Sequence, residues 1–255
     1  MKNRFAACFS YIILPWRLMI MMYPMYYWFD PTYILVIAGV IICLAASAKM
    51  RSTFNRYSRV RSHSGLTGRE AAQEVLRRAG IYDVRVERVS GNLTDHYDPR
   101  TKVLRLSDAT YNSTSLAAVG VAAHECGHAM QHAQGYAPLK IRGSLVPLAN
   151  LGSTLAWPLI LIGLVFTGRS SEMFLNLGIL AFSLAVLFQL VTLPVEFNAS
   201  RRAVRILGSS GIMYPDEIDG TKKVLGAAAL TYVAGAASSI LQLLRIILLT
   251  GNRRD

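Results

Sequence analysis

Long apolar runs alternate with polar stretches along this chain, and each run has the length of a membrane-spanning helix. Residues 31–48 contain no charged side chain and, as a helix, are long enough to cross about 30 Å of hydrocarbon. Residues 144–194 contain two further runs separated by a short charged turn, and residues 224–250 contain a fourth. This pattern predicts a multi-pass α-helical membrane protein with four transmembrane helices.

Two polar stretches separate these predicted spans. Residues 49–143 begin with a helical pattern, followed by a segment that alternates as a strand does and by two strand-like segments around a turn at Pro99. They end with an apolar helix for which Asn112 or Ser113 is the expected cap. We therefore expect a small α+β domain here, with its most apolar helix last. Residues 195–223 form the second, shorter polar segment.

Basic residues border the apolar runs, and the chain has a net charge of +12 although only 16% of its residues are charged. A nucleic-acid-binding protein instead presents Lys and Arg along an exposed face, so we expect a lipid bilayer as partner and no nucleic acid. Both polar stretches are rich in Lys and Arg near the spans, so the positive-inside rule predicts a cell-membrane protein with both stretches in the cytoplasm. Arg245 runs against this rule, because it would lie near the outer end of the last span.

Residues 1–30 do not fit one class of segment. They are apolar and aromatic, but Pro15, Arg17 and Pro24 interrupt them. A further span, an interfacial segment and an extension from an early start codon all remain open. A signal peptide is disfavoured, because no small-residue cleavage site precedes Pro31.

The apolar helix of the first polar stretch carries the sequence H-E-x-x-H. His124 and His128 are four residues apart and project from one helical face, so both imidazoles can reach one zinc ion. Glu125 lies about 100° around the helix from His124, beside the open coordination position. There it can take a proton from water that the zinc activates. The motif predicts one zinc ion per chain and hydrolysis of protein or peptide substrates.

The third zinc ligand has two candidates. His132 follows His128 by four residues, but it would lie about 12 Å from His124 along a straight helix, whereas zinc–nitrogen bonds are about 2 Å long. Glu196 follows the third span, at the membrane edge and on the same predicted side as the His helix. We expect Glu196 to be the ligand and keep His132 as the alternative. Glu196 could instead pair with one of the arginines that follow it.

The segment DHYD, which precedes the metal helix, is a candidate for substrate binding. An edge strand at this position would pair with the backbone of an extended substrate. His96 or Tyr97 could then donate a hydrogen bond to the oxyanion that forms at the peptide carbonyl. The alternative interpretation is a polar turn before Pro99.

The H-E-x-x-H motif, followed by EFNA at residues 196–199, resembles the Glu-zincin pattern of the HtpX-type membrane proteases and the CAAX prenyl proteases. The segments VAAHECGHAMQHAQGYAPLK and LVTLPVEFNASRRA resemble more closely the YugP-type family of membrane zinc metallopeptidases, over about residues 26–254. This resemblance implies a Glu-zincin site with Glu196 as the third ligand. Ser200 stands where HtpX-type enzymes have an acid, so a hydrogen bond from this position to a zinc-bound His would be a neutral one.

The sequence therefore predicts a membrane-embedded zinc endopeptidase with a zincin-like domain at residues 49–143. Two other classes remain: a zinc-binding membrane scaffold without proteolysis, and a zinc transporter. A purely structural zinc site needs no acid at Glu125 and closes its fourth position. A transporter places its ligands within the spans, whereas the second, third and fourth spans have no His, Asp or Glu between their ends.

Overall fold

The computed structural model describes residues 30–251. Within them the chain is mostly helical, with one three-stranded sheet. In chain order the elements are helices α1 (Tyr33–Tyr57) and α2 (Gly68–Arg78), strands β1 (Arg85–Val89), β2 (His96–Asp98) and β3 (Val103–Ser107), and helices α3 (Asp108–Tyr111), α4 (Leu116–Ala133), α5 (Ala137–Val165), α6 (Arg169–Ser209) and α7 (Pro215–Gly251). The alternatives for residues 1–30 concern a segment that lies, apart from Asp30, outside the described residues.

Four helices, α1, α5, α6 and α7, are long and apolar enough to cross a membrane. Each contains one of the four apolar runs, but α6 and α7 have 41 and 37 residues, about twice the length that a span requires. Helical structure therefore continues well past the apolar residues. Glu196 lies inside α6 rather than in a separate polar segment, because Pro194 removes one main-chain donor without ending the helix.

The described chain divides into two units, of which the first comprises residues 46–140 and 193–231. Helices α2 and α4, the sheet and the last part of α6 share one apolar core in this unit. The sheet has the order β1-β3-β2, with β1 parallel and β2 antiparallel to β3. The central strand β3 is almost entirely buried, and β2 lies at an edge. The combination of helices with a small sheet agrees with the prediction from sequence.

Helix α4 begins later than its sequence suggests. Its N-cap is Ser115, whose hydroxyl accepts a hydrogen bond at 3.2 Å from the main-chain N–H three residues on, so the prediction of Asn112 or Ser113 is wrong. Asn112 instead ends the short helix α3, and the Ser113 hydroxyl donates to that of Ser115 at 3.0 Å. After α4, Gly135 adopts a left-handed φ of 62°, which ends the helix and turns the chain towards α5.

The second unit comprises residues 30–45, 141–192 and 232–251. Residues of α5, α6 and α7 form its buried core, whose members are Ala156, Ile160, Leu175, Phe182, Val186 and Ile246. Glycine allows α5 and α6 to approach closely, since a methyl group added at Gly152 would lie 2.4 Å from the Ala181 carbonyl oxygen. Small residues at helix contacts are typical of packing in lipid.

Arg245 is buried within the second unit, where Asp30 compensates its charge. The Arg245 side chain lies in α7 with 5% of its surface exposed, and its Nη2 is 3.7 Å from Asp30 Oδ2. Its Cζ atom also lies 4.2 Å from the centroid of the Tyr33 ring. Asp30 is held in place by Thr32, whose main-chain N–H and hydroxyl both donate to the carboxylate. The arginine that contradicts the positive-inside rule is therefore paired at the start of α1.

We expect Asp30→Asn to destabilise the protein by about 1–3 kcal/mol, because it leaves a buried guanidinium without its counter-ion. The amide oxygen still accepts from the Thr32 N–H, and the amide NH₂ can donate to the Thr32 hydroxyl, so the substitution mainly removes the charge. The free energy of unfolding in detergent measures the effect. The control is Asp30→Asn combined with Arg245→Gln, which should recover part of the loss. Equal stability of Asp30→Asn and the unaltered protein would contradict the assigned pair.

Candidate metal centre

His124 and His128 present their imidazoles from one face of α4. They are separated by about one helical turn, and their ring centroids lie 4.8 Å apart. His128 is buried, whereas the His124 side chain keeps 14% of its surface exposed. The two Nε2 atoms point to the same acidic side chain on α6.

That acid is Glu196, which is almost fully buried. Its Oε2 lies 3.4 Å from Nε2 of His124 and 3.5 Å from Nε2 of His128. All three potential ligand atoms lie within 4.8 Å of one another. Two residues of α4 and one residue of α6 thus form a compact donor set of two nitrogens and one oxygen.

The donor set suits a zinc ion. Zinc binds imidazole nitrogen and carboxylate oxygen at about 2.0–2.2 Å in a tetrahedral arrangement, which puts neighbouring ligand atoms roughly 3.4 Å apart. The separations of 3.4 and 3.5 Å from Glu196 to the two histidines are of this size. Three protein ligands leave a fourth position open, as in catalytic rather than structural zinc sites.

The close approach of α4 and α6 at Gly127 makes this arrangement possible. A methyl group added to Gly127 would lie 2.5 Å from the carbonyl oxygen of Ala199 and 3.1 Å from its Cα. The two backbones are therefore in direct contact between the two histidines of the motif and the residues that follow Glu196. This contact leaves no room for a side chain at residue 127, the second x of H-E-x-x-H.

Each histidine has a neutral partner on its other ring nitrogen. Nδ1 of His124 lies 3.1 Å from the Ser200 hydroxyl. Nδ1 of His128 lies 3.0 Å from Oε1 of Gln131. Such partners orient a metal-binding imidazole.

Sequence reasoning did not find Gln131. The side chain is fully buried, and its Nε2 donates to the main-chain oxygen of Val195 at 2.8 Å and to Asn198 Oδ1 at 3.0 Å. The available signal was a polar amide three residues after His128 in an otherwise apolar helix.

Glu125 lies beside the edge strand β2. Its carboxylate is buried, and Oε2 accepts a hydrogen bond at 3.0 Å from the main-chain N–H of Tyr97. In an antiparallel edge strand, alternate residues direct their main-chain groups away from the neighbouring strand. Tyr97 thus uses its outward-facing N–H to hold the acid of the H-E-x-x-H motif.

The Tyr97 side chain reaches the end of α4. Its hydroxyl lies 3.0 Å from Nδ1 of His132, and the two rings are 5.9 Å apart. Burial, together with the negative charges of Asp83 and Asp98, raises the pKa of Tyr97 to about 12, so its hydroxyl is protonated at neutral pH. His132 is exposed and is not one of the three residues whose ligand atoms cluster.

His96 has different surroundings from Tyr97. Its Nδ1 lies 2.8 Å from the Thr94 carbonyl oxygen, and its Nε2 lies 3.5 Å from Arg105, the residue opposite it on β3. Successive residues of a strand point to opposite faces of the sheet. The side chain of Tyr97 packs on the core that contains α4, so His96 projects from the other face.

Asp95 fixes the start of β2. It is buried, and its carboxylate accepts hydrogen bonds from the main-chain N–H and the hydroxyl of Ser107 at 2.8 and 2.9 Å. Burial raises the pKa of Asp95, an effect that the bond from the Ser107 N–H opposes and the nearby charge of Glu125 reinforces. These bonds tie the start of β2 to the end of β3, two residues before Tyr97, which holds Glu125.

The fold and the site together define a mostly helical protein with four helices of membrane-spanning length and a buried His-His-Glu donor set in an H-E-x-x-H frame. A family model described as "Putative neutral zinc metallopeptidase" matches residues 32–251, and the chain belongs to this family. The chain is also 48% identical over 221 residues to the "Putative membrane protease YugP" of Bacillus subtilis (strain 168), a match that covers 87% of this chain and 97% of that protein. The resemblance stated from sequence is confirmed. No solved structure matches the chain.

We expect Gly127→Ala to destabilise the first unit by about 2 kcal/mol or more, because backbone atoms of α6 occupy the space that the methyl group needs. Metal binding should weaken together with stability, since the ligands come from both helices. The measurements are the thermal midpoint in detergent and the zinc content after dialysis.

Gly226→Ala is the matched control, because a methyl group there meets nothing within 4 Å. In helix α7 this control should be neutral or stabilising, by up to about 1 kcal/mol. A Gly127→Ala variant as stable as Gly226→Ala would mean that α4 and α6 do not make the contact described.

Proposed function

We propose that this protein is a zinc-dependent endopeptidase embedded in the cell membrane, with one zinc ion per chain held by His124, His128 and Glu196. The observation that carries the proposal is the buried donor set of these three residues, with Glu125 immediately after the first histidine. Membership of a family described as zinc metallopeptidases supports the reaction class. The name of the Bacillus subtilis relative, which calls that protein a membrane protease, supports the location.

The zinc ion, when bound, supplies Lewis-acid chemistry: it polarises the carbonyl of the scissile bond and lowers the pKa of its water towards about 7. Glu125 is the general base. Tyr97 holds Oε2 of this carboxylate by a main-chain hydrogen bond, which leaves Oε1 to accept a proton from the attacking water. Glu125 then delivers that proton to the leaving amine, so no covalent link between enzyme and substrate forms.

Tyr97 is the candidate for stabilising charge on the carbonyl oxygen of the substrate. Its hydroxyl keeps its proton at neutral pH, as it would even at the ordinary tyrosine pKa of about 10, and a protonated hydroxyl can donate to a developing oxyanion. Its hydroxyl also contacts Nδ1 of His132, so the role requires His132 to carry the proton of that hydrogen bond and leave the hydroxyl proton for the substrate. We favour Tyr97 over His96 in this role, because the side chain of His96 is directed to Arg105 on the other face of the sheet.

Strand β2 is suited to hold the substrate in an extended conformation. It lies at the edge of the sheet and is hydrogen-bonded to β3 on one side. Because the outward N–H of Tyr97 already donates to Glu125, a peptide segment would pair with this edge through the outward main-chain oxygen, which accepts from a substrate N–H. Asp95 and Ser107 keep this edge beside Glu125.

The four long helices are proposed to cross the bilayer, with the metal centre on the cytoplasmic side. The positive-inside rule carries the orientation. Arg56, near the end of α1, and Arg59, which follows the helix, are exposed and would lie at the anionic cytoplasmic leaflet in this orientation. The site would then face the cytoplasm near the bilayer surface.

Glu196→Ala should lose zinc, because it removes one of three ligands, whereas His132→Ala should retain about one zinc per chain. Metal content of the protein purified in detergent, measured by atomic emission, distinguishes the two variants. His132→Ala also serves as the control for loss of a metal-binding side chain elsewhere on α4. Zinc loss in His132→Ala alone would make His132 the third ligand and would require a break in α4.

Glu125→Gln should lower the rate of casein cleavage by at least about 100-fold, the usual contribution of a general base, and leave the zinc content unchanged. The amide can still accept the hydrogen bond from Tyr97, so the fold around β2 should persist. Glu87→Gln, a partly exposed acid on β1, is the matched control and should cleave casein normally. If the Glu125→Gln variant cleaved casein as fast as this control, the assignment of the base would be wrong.

A further inference from the structure

Gln131 lies at the centre of a buried chain of hydrogen bonds that joins α4 to α6. Its side chain is 0% exposed, and each of its polar atoms has a partner. Oε1 lies 3.0 Å from Nδ1 of His128. Nε2 donates to the Val195 carbonyl and to Asn198 Oδ1, at 2.8 and 3.0 Å.

The surroundings of Gln131 fix which way its amide points. The main-chain oxygen of Val195 can only accept a hydrogen bond, so the group facing it must be the NH₂ of Gln131. Asn198 Oδ1 accepts at 2.6 Å from Nε of Arg202, and a guanidinium can only donate. Asn198 therefore also presents an acceptor to Gln131, and both partners require the same orientation.

With the NH₂ group committed to α6, only the oxygen of Gln131 is left to face His128. A carbonyl oxygen cannot donate, so Nδ1 of His128 must carry the proton. The neutral imidazole then has its lone pair on Nε2, the atom that lies 3.5 Å from Glu196 Oε2. Arg202 thus keeps Asn198 Oδ1 an acceptor, Asn198 fixes the orientation of the Gln131 amide, and the amide oxygen accepts the proton that His128 carries on Nδ1.

We infer that Gln131 is a positioning residue of the metal centre, which holds His128 in the tautomer that binds metal through Nε2 and ties it to the segment that carries Glu196. Val195, whose carbonyl Gln131 binds, directly precedes Glu196 in α6. The Gln131 amide therefore determines which nitrogen of His128 carries the proton and how close His128 lies to Glu196. The zinc-binding part of this inference rests on the proposed function, whereas the tautomer does not.

The other histidine has no equivalent constraint from its partner. Ser200 Oγ, 3.1 Å from Nδ1 of His124, can donate or accept, so this hydroxyl permits either tautomer. Loss of Gln131 should therefore be detected specifically at His128. This difference gives the experiment an internal reference.

The first test is ¹⁵N NMR of the five histidines in the metal-free protein in detergent, at alkaline pH where imidazole is neutral. His128→Ala assigns the signal. The unaltered protein should show His128 with its proton on Nδ1. Gln131→Met, which keeps the length of the side chain but accepts no comparable hydrogen bond, should populate the Nε2-protonated form at His128 and leave the other four histidines unchanged.

Gln131→Glu is the conservative variant. The carboxyl group presents an acceptor to His128 whether or not it is protonated, so the Nδ1-protonated form should return. Gln134→Met is the matched control, because Gln134 is the exposed residue that caps the end of α4 and contacts Arg202 rather than a histidine. It should leave the tautomer of His128 unchanged.

The second test is the affinity for zinc, measured by competition with a chelator. Gln131→Met should bind zinc at least about tenfold more weakly than Gln134→Met, as expected for loss of the partner of a metal-binding His. A weakened affinity with an altered tautomer supports the inference. An altered tautomer with unchanged zinc affinity would overturn the role of Gln131 at the metal centre.

If His128 kept its proton on Nδ1 in the Gln131→Met variant, the inference about the tautomer would be overturned. Should Gln131→Met not fold, His128 protonated on Nε2 in Gln131→Glu would do so. Failure of the proposed function has a different signature, because a protein that bound no zinc or cleaved nothing would still report the tautomer in its metal-free form.

Discussion

The contact between Gly127 and Ala199 is the constraint on which the metal centre depends. It brings the backbones of α4 and α6 together closely enough that a methyl group would lie 2.5 Å from a carbonyl oxygen. At this distance, a glutamate from one helix reaches two imidazoles of the other without a loop between them. The sheet then fixes the position of the remaining acid, Glu125 of α4, because the edge strand β2 donates a main-chain N–H to its carboxylate. Two helices and one strand, each fixed by backbone contacts, thus position every group of the proposed mechanism.

The parts of this arrangement that are local in sequence could be predicted. The spacing of His124 and His128 defines one face of a helix whatever surrounds it, and the apolar runs define four long helices by composition alone. The alternation on either side of Pro99 indicated two strands, and β2 and β3 occupy those positions. Glu196 is 68 residues from His128, and no spacing rule connects them. It was found because an acid follows an apolar run there and because the surrounding segment resembles a known family.

The features that could not be predicted depend on contacts between distant segments. Asn112 and Ser113 are as suitable for capping as Ser115, and only the presence of the short helix α3 decides between them. The end of an apolar run does not mark the end of its helix, so α6 carries Glu196 well beyond the residues that suit hydrocarbon. Arg245 contradicts the charge rule until Asp30 is placed beside it. A charge rule counts residues along the chain, whereas the cost of a buried charge depends on its neighbour in space.

The partners of the two histidines add no charge to a buried site that already holds two carboxylates. With a divalent ion held as we propose, its two positive charges are balanced by the carboxylates of Glu196 and Glu125. An acid in place of Ser200 would add a third negative charge and would make the hydrogen bond to His124 a charged one. A hydroxyl on His124 and an amide on His128 orient the imidazoles without adding charge. The amide additionally has a direction, because Arg202 and the Val195 carbonyl fix it, and so it can select a tautomer where a hydroxyl cannot. The two histidines of the proposed site are thus held by different kinds of partner, and at His128 the directed amide fixes which ring nitrogen carries the proton.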